Sequence, residues 1–400
     1  MNQNIVVPQD ASHPSSARLP WAGLLALAMA GFICILTETL PAGLLPQISE
    51  GFEISEALAG QLVTLYALGS LAAAIPLVAA TRGWRRRPLL LMCIIGFFVF
   101  NSITAFSFNY VLTLAARFFA GVSAGVVWGI TAGYARRMVH DRLKGKAMAV
   151  AMVGTPLALA LGVPIGTFLG GLMGWRTVFW IMSLLTLALI VWVLWKLPDF
   201  PGQARDKQLS FRKVFLIPGV RSILFVVFAW VLAHNILYTY IAPFLNQSPL
   251  ARRVDLVLLI FGITSIVGIW IIGVGIDRKL RTLVLLSLFG FILSSVLLGI
   301  GGSQPIAIFM GVVVWGLTFG GAATLLQTAI ADAAGESADI AQSMLVTIWN
   351  LAISGGGVIG GILLEKLGAE SFPWALCVVL LLAFFVSWRA RENGFRNRNI

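Results

Sequence analysis

Charge is what this sequence has least of. Asp, Glu, Lys and Arg together make up 11% of its 400 residues, where soluble proteins carry roughly 25%. That is too little polar surface to coat a water-soluble fold. Cysteine and histidine are equally scarce, three of each. Cys34, Cys93 and Cys377 each lie inside an apolar segment, so they read as small core residues, with neither disulfide nor metal-ligand spacing. His13 falls in a polar tail and His140 in a loop, and no glycine-rich phosphate loop or metal-ligating cluster is legible. Enzyme chemistry, ATP-driven work and a bound cofactor are therefore not expected. The net charge of +12 is no nucleic-acid signature, because the Lys and Arg sit in short gaps between apolar runs.

Apolar residues supply what charge does not. They account for 59% of the chain, and the mean hydropathy is +0.93. Runs of about 20 such residues are transmembrane helices. The runs are continuous and not alternating, which argues against a β-barrel. They fall near 22–45, 57–80, 88–106, 110–134, 147–172, 177–195, 219–245, 256–276, 282–300, 305–331, 340–364 and 372–388. The expected fold is an all-α integral membrane protein of twelve transmembrane helices in two pseudo-symmetric six-helix bundles. Residues 1–20 form a flexible tail; the apolar run after it is too long for a cleaved signal core. The bundles span 21–197 and 219–388, with a linker at 198–218 carrying Pro198, Pro201 and Gly202, and a tail at 389–400.

Orientation follows from the basic residues. Only Arg176, Arg252, Arg253 and Lys366 fall in outer loops, and Arg117 lies within a span. The rest of the 28 Lys and Arg cluster in the tails and inner loops. Both termini are expected on the cytoplasmic side of the inner membrane. The halves also repeat: Trp128-Gly129-Ile130-Thr131 recurs as Trp315-Gly316-Leu317-Thr318, and Gly162-Val163-Pro164-Ile165-Gly166 recurs loosely as Gly357-Val358-Ile359-Gly360-Gly361. Parallel repeats of this kind place a binding site at mid-membrane between two rocking halves.

These residues resemble the major facilitator superfamily in its twelve-span drug/proton antiporter branch. Gly275-Ile276-Asp277-Arg278 with Arg281 resembles the superfamily's loop signature in its second-half copy. The first-half copy, Thr81-Arg82-Gly83-Trp84-Arg85-Arg86-Arg87, keeps the basic cluster and lacks the Asp. Leu114, Arg117, Gly121 and Gly125 look like the fourth-span motif, and Gly162-Val163-Pro164 with Gly166 like the fifth-span antiporter motif. Thr37-Glu38 before Gly43-Leu44-Leu45-Pro46, and Tyr238-x-Tyr240-Ile241-x-Pro243-Phe244, resemble bacterial sugar and purine efflux transporters. The resemblance implies proton coupling at Arg117, a gating contact along the fifth span and a latch formed by Asp277, Arg278 and Arg281.

Glu38 stands out without the resemblance. A carboxylate at bilayer depth costs about 2.5–3.5 kcal/mol even on lenient scales, so it is expected to carry protons or bind substrate; the structural alternative is a carboxylate paired to a cation or capping broken backbone near Pro41. Glu38 and Arg117 each lie about 10 Å below the outer boundary at 1.5 Å per residue, so they share one layer. Arg117 reaching up to the interface is the competing expectation. Gly162, Gly166, Gly170 and Gly174 recur every four residues as a bare stripe that admits another helix, and Pro164 removes a backbone donor within it. On the seventh span His234, Asn235 and Tyr238 share a face. This polar-aromatic cluster suits a hydroxylated or heterocyclic substrate, and His234 is a second candidate for proton coupling. Gln327, Trp349 and Asn350 are further substrate-binding candidates; Trp128 and Trp315 either flank the cavity or pack.

The function these residues point to is proton-driven efflux of small organic molecules — sugars, nucleosides, purines or drugs — through alternating access, with drug resistance as one consequence. The partners are a small-molecule substrate, protons and membrane lipids, and the protein acts as a monomer. A proton-coupled importer of a nutrient uses the same fold, and a membrane sensor is the reading from another class. No soluble signalling domain supports the sensor.

Overall fold

The computed structural model describes residues 19–74, 76–202, 211–301 and 303–395. Most of the N-terminal tail, Arg205 and Lys207 of the linker, and Arg396 and Arg398 of the C-terminal tail lie outside them. The described chain is a succession of long apolar helices. Six belong to the first half: α1 Trp21–Gly43, α2 Glu56–Ala74, α3 Arg86–Phe106, α4 Tyr110–Arg137, α5 Lys144–Met173 and α6 Trp175–Lys196. In the second half α7 is Val220–Thr239, α10 Pro305–Ala334, α11 Ile340–Leu367 and α12 Ala369–Arg389.

Between α7 and α10 runs one helical stretch, Val254–Gly301, of 48 residues. A straight helix of that length is about 72 Å long, more than twice a hydrocarbon core of about 30 Å. It is two crossings. Lys279 leaves helical geometry at φ −125°, ψ 32°, and Gly275 comes to lie beside Leu283, which is possible only if the chain folds back. Gly268 before the break and Gly290 after it both pack on the Leu317–Thr318 stretch of α10. We therefore call 254–278 α8 and 280–301 α9. Twelve crossings put residue 19 and residue 395 on one face, the near face; the opposite one is the far face.

The glycine stripe of α5 lies against α1. An added Cβ meets Phe32 and Leu36 from Gly162, Leu40 from Gly166 and Leu44 from Gly170. Gly154, two four-residue steps before Gly162, extends the contact beyond the sequence reading: an added Cβ there collides with the Ala28 carbonyl. Gly174 does not belong to it: nothing lies within 4 Å of an added Cβ, and its φ of +84° ends α5 in a conformation that favours glycine. Between Ala158 and Gly162, just before Pro164, α5 widens into a π-helical turn, a feature that often marks functional positions. Gly262 of α8 rests on that turn at Ala160, so one segment of α5 touches both its own half and the other.

An expected result follows. In Gly166→Ala the new methyl sits 2.6 Å from the Leu40 Cδ1 before relaxation, and a leucine end can rotate away. Gly166→Leu has no such escape and costs about 1–3 kcal/mol by overpacking. Turnover should fall at least several-fold in the leucine variant, with membrane insertion unchanged on a surface-labelling gel. Wild-type turnover there would show that the α1–α5 contact need not stay close.

The linker is partly ordered. Arg85 Nε meets Asp199 Oδ2 at 2.5 Å, the Arg87 N–H donates to Asp199 Oδ1 at 3.1 Å, and the Arg86 N–H donates to the Phe200 carbonyl at 2.9 Å. Tyr134 and Arg137 of α4 donate to the carbonyls of Pro198 and Pro201. Residues 197–202 thus strap down the loop between α2 and α3. Partial burial pushes the Asp199 carboxyl up, but the hydrogen bonds from Arg85 and Arg87 and the Arg85 charge outweigh it and hold it below the usual carboxylate range. The carboxylate that the first-half loop signature lacks is supplied from the linker. The sequence reading missed Asp199 because it comes from a distant part of the chain.

Candidate functional site

Pro41 organises the first half of the site. A proline has no N–H, so the carbonyl four residues back, that of Thr37, loses its helical partner. Arg117 of α4 supplies one: a guanidinium N–H donates to the Thr37 carbonyl at 2.5 Å and to the Glu38 carbonyl at 3.3 Å. Its Nε–H donates to the Leu62 carbonyl of α2 at 3.2 Å. The guanidinium also lies over the rings of Tyr66, at 5.0 Å, and Phe179, at 5.9 Å, an arrangement worth more the drier the site. Arg117 is 0% exposed and Glu38 7%.

The two residues do share a layer. They meet differently from a simple ion pair, since Arg117 holds the main chain at Glu38 and not the carboxylate. One guanidinium nitrogen, Nη1, remains without a partner. The interfacial alternative for Arg117 is excluded by its burial, and it is Arg117 that caps the broken backbone near Pro41. Three polar residues complete the layer and were missed from sequence. Asn101 of α3 donates to Thr37 Oγ1 at 3.1 Å, Tyr66 to the Cys34 carbonyl at 2.8 Å, and Thr64 Oγ1 is buried without a partner. Their only signal was a polar side chain inside an apolar span.

Across the interface stands α7. His234 is stacked flat on Phe319 of α10, with centroids 3.5 Å apart and planes 5° apart. Phe261 of α8 and Trp315 of α10 close the ring at 5.6 and 5.3 Å. Tyr238, one turn along, lies 5.2 Å from His234. It faces Thr39 and Glu38 of α1, and its buried hydroxyl has no well-formed hydrogen bond. Trp349 of α11 joins at the edge, 6.4 Å from Phe319.

The remaining candidates are placed apart. Asn235 is buried against Gly356 of α11, its amide donating to the Val231 carbonyl at 2.9 Å. Asn350 likewise bonds its own helix at Val346. Gln327 is exposed, and its carbonyl accepts from Gln342. Trp128 packs over Gly31, where an added Cβ would sit 3.5 Å from its ring, whereas its repeat counterpart Trp315 is fully buried beside His234. The latch takes another form. Asp277 and Arg278 are exposed, and Arg281 caps the end of α12 through the Ser387 and Trp388 carbonyls, at 3.0 and 2.7 Å.

The far side of the cleft is closed. After Thr239 the backbone of Tyr240 breaks the helix (φ −112°, ψ 29°) and swings its ring off the His234 face. The ring enters a seam between α2 and α11 lined by Gly60, Gly360 and Gly361, where any Cβ collides with it. Its hydroxyl donates to the Gly357 carbonyl at 2.7 Å and lies 3.3 Å from that of Ala57. Gln61 and Ser55 of the first half reach the Gly357 carbonyl and Glu365 of the second, at 3.4 and 3.2 Å. Among the described residues no group of three or more His, Cys, Asp or Glu is placed to hold a metal ion.

A membrane bundle of two repeated halves, with polar side chains facing each other across the interface between them and one end sealed, is a solute transporter's architecture. The chain belongs to the Major Facilitator Superfamily, whose sequence profile matches residues 27–356. It is 30% identical over 365 residues to the purine ribonucleoside efflux pump NepI of Escherichia coli, covering 90% of this chain and 92% of that protein. It is 28% identical over 373 residues to a probable sugar efflux transporter of Mannheimia succiniciproducens, covering 90% and 92%. Among solved structures it is similar to the nucleoside transporter NupG (TM-score 0.72, 14% identity, 93% of this chain and 100% of that one). It is also similar to a bacterial homologue of the human lysosomal transporter Spinster (TM-score 0.68, 14% identity, 95% and 99%). At that identity the two structures speak for the fold alone.

Proposed function

We propose that this transporter exports purine nucleosides or sugars from the cytoplasm in exchange for protons, by alternating access. The observation that carries the reading is the juxtaposition of Glu38, buried in α1, with Tyr238 and the His234 cluster of α7. Substrate and proton then compete through one layer of side chains. The names of the relatives at 28–30% identity favour efflux of a hydroxylated or heterocyclic solute. Arg117 and the carbonyls around Pro41 hold the α1 backbone at the carboxylate, so a change of charge on Glu38 is felt where α1 meets α7. The sealed far face is the arrangement in which solute enters from the near face, which we assign to the cytoplasm. Moving a charge across the membrane supplies about 2.3 kcal/mol per 100 mV, enough for tenfold accumulation or more.

Everted vesicles loaded with the protein and given an inward-acid pH gradient should accumulate labelled inosine or a labelled sugar. Accumulation that appears only with the opposite gradient would make the protein an importer. The orientation has its own test. The basic residues put both termini and the linker inside, so a reporter fused after Arg205 should read cytoplasmic and one inserted at Ser248 periplasmic. A periplasmic reading at the first position would overturn the assignment of faces.

A further inference from the structure

His234 has two ring nitrogens, and the structure distinguishes them. Trp315 Nε1 lies 3.2 Å from His234 Nδ1. An indole nitrogen can only donate, so Nδ1 must offer its lone pair, and the proton of the neutral ring sits on Nε2. Among the described residues Nε2 has no partner: the contact with Trp315 is the ring's one hydrogen bond there. Phe261, Phe319 and Tyr238 hold the ring plane by stacking and edge contacts. The Tyr238 hydroxyl, a turn away on the same face of α7, faces Thr39 and forms no well-aligned hydrogen bond. Two polar groups on one face are therefore set by their surroundings, with the Nε2 proton of His234 free of a protein acceptor among the described residues.

We propose that Trp315 is a positioning residue that locks His234 in the Nε2–H form, making His234 a fixed hydrogen-bond donor to a ring nitrogen, carbonyl or hydroxyl oxygen of the substrate and not a carrier of protons. This rests on the export reading for the identity of the solute and is independent of it for the state of the ring. It also divides the labour of the site. Proton exchange belongs to Glu38 in the first half, and recognition of an acceptor atom belongs to α7 in the second. A solute stripped of acceptors at that edge is excluded, because it leaves the donor buried and unpaired.

The chain has only three histidines, so nitrogen-15 spectra of histidine-labelled protein in lipid bilayers can be read directly, with His234→Gln identifying the His234 signals. At neutral pH the wild type should show Nδ1 unprotonated and Nε2 protonated, and Trp315→Phe, which keeps the ring and removes the donor, should abolish that preference. A protonated Nδ1 in the wild type, or an unchanged signature in Trp315→Phe, would overturn the proposal. Inosine affinity supplies the second reading. Trp315→Phe should weaken binding about tenfold in the wild type and less than twofold in the His234→Gln background, where a side-chain amide donates from the Nε2 position and has no tautomer to lock. Equal losses in both backgrounds would mean that Trp315 only packs, which overturns the proposal. A wild-type protein that binds neither inosine nor sugars would count against the export reading, while the nitrogen signature would still decide the state of His234.

Discussion

Glu38→Gln should abolish uphill export and leave downhill exchange of substrate running. The amide has the shape of a protonated carboxyl and cannot lose its proton, so the layer at α1 is held permanently in one charge state. Glu38 is nearly enclosed, and no Lys or Arg side chain forms an ion pair with it among the described residues, so no fixed cation holds it charged. Substrate still meets Tyr238 and His234, and the halves still rock with substrate bound. What disappears is the link between reorientation and the pH gradient. In reconstituted vesicles the variant should bind inosine within about threefold of wild type, exchange it across the membrane, and fail to concentrate it, the accumulation ratio falling to one. Uphill transport at the wild-type rate would remove Glu38 from the coupling role.

Arg117→Ala should be the most damaging single change to stability within the first half, and the reason predicts how to rescue it. The variant strands the carbonyl of Thr37, now buried without a donor, at about 1–3 kcal/mol where no water replaces it; the carbonyls of Glu38 and Leu62 lose Arg117 but lie within α1 and α2, where their own helices still supply a donor. The Thr37 carbonyl is an orphan only because Pro41 lacks an N–H. In Pro41→Ala the helix closes that bond itself, so Arg117→Ala should then cost about 1–2 kcal/mol less than it does in the wild-type background. Thermal unfolding in detergent of the four proteins in this cycle measures the difference directly. Additive losses would show that Arg117 does not serve the proline break. Arg117→Lys should not restore transport, because one ammonium cannot bridge α1 and α2 as the guanidinium fork does.

The membrane class, the twelve crossings and the pairing of halves were legible in the chain, because hydropathy, basic asymmetry and repeated motifs are local or additive properties. So was the need of Glu38, Arg117, His234 and Tyr238 for buried surroundings that accommodate them: polar groups are expensive in an apolar span wherever the span sits. The α5 glycine stripe was legible too, since a four-residue period names a face before its partner is known. The 254–301 stretch shows how little local conformation adds there. Its helix is interrupted at a single residue, Lys279, yet Asp277, Arg278 and Arg281 already marked a loop.

Partnership was decided by the tertiary structure alone. Helical phase tells which residues share a face but not how each helix is rotated against its neighbours, and polar satisfaction depends on that rotation. Pro41 announces an orphan carbonyl, but only the packing of α4 on α1 brings Arg117 to it. His234 and Trp315 are 81 residues apart, so nothing in their local sequence tells which ring nitrogen accepts. Tyr240 leaves the His234 face because one backbone break turns it into a seam of glycines from α2 and α11. Asp199 reads as a linker residue until it is folded onto Arg85. The sequence determined which groups must find partners, because burying them unpaired in lipid is too costly; the packing of twelve helices determined which partners they found.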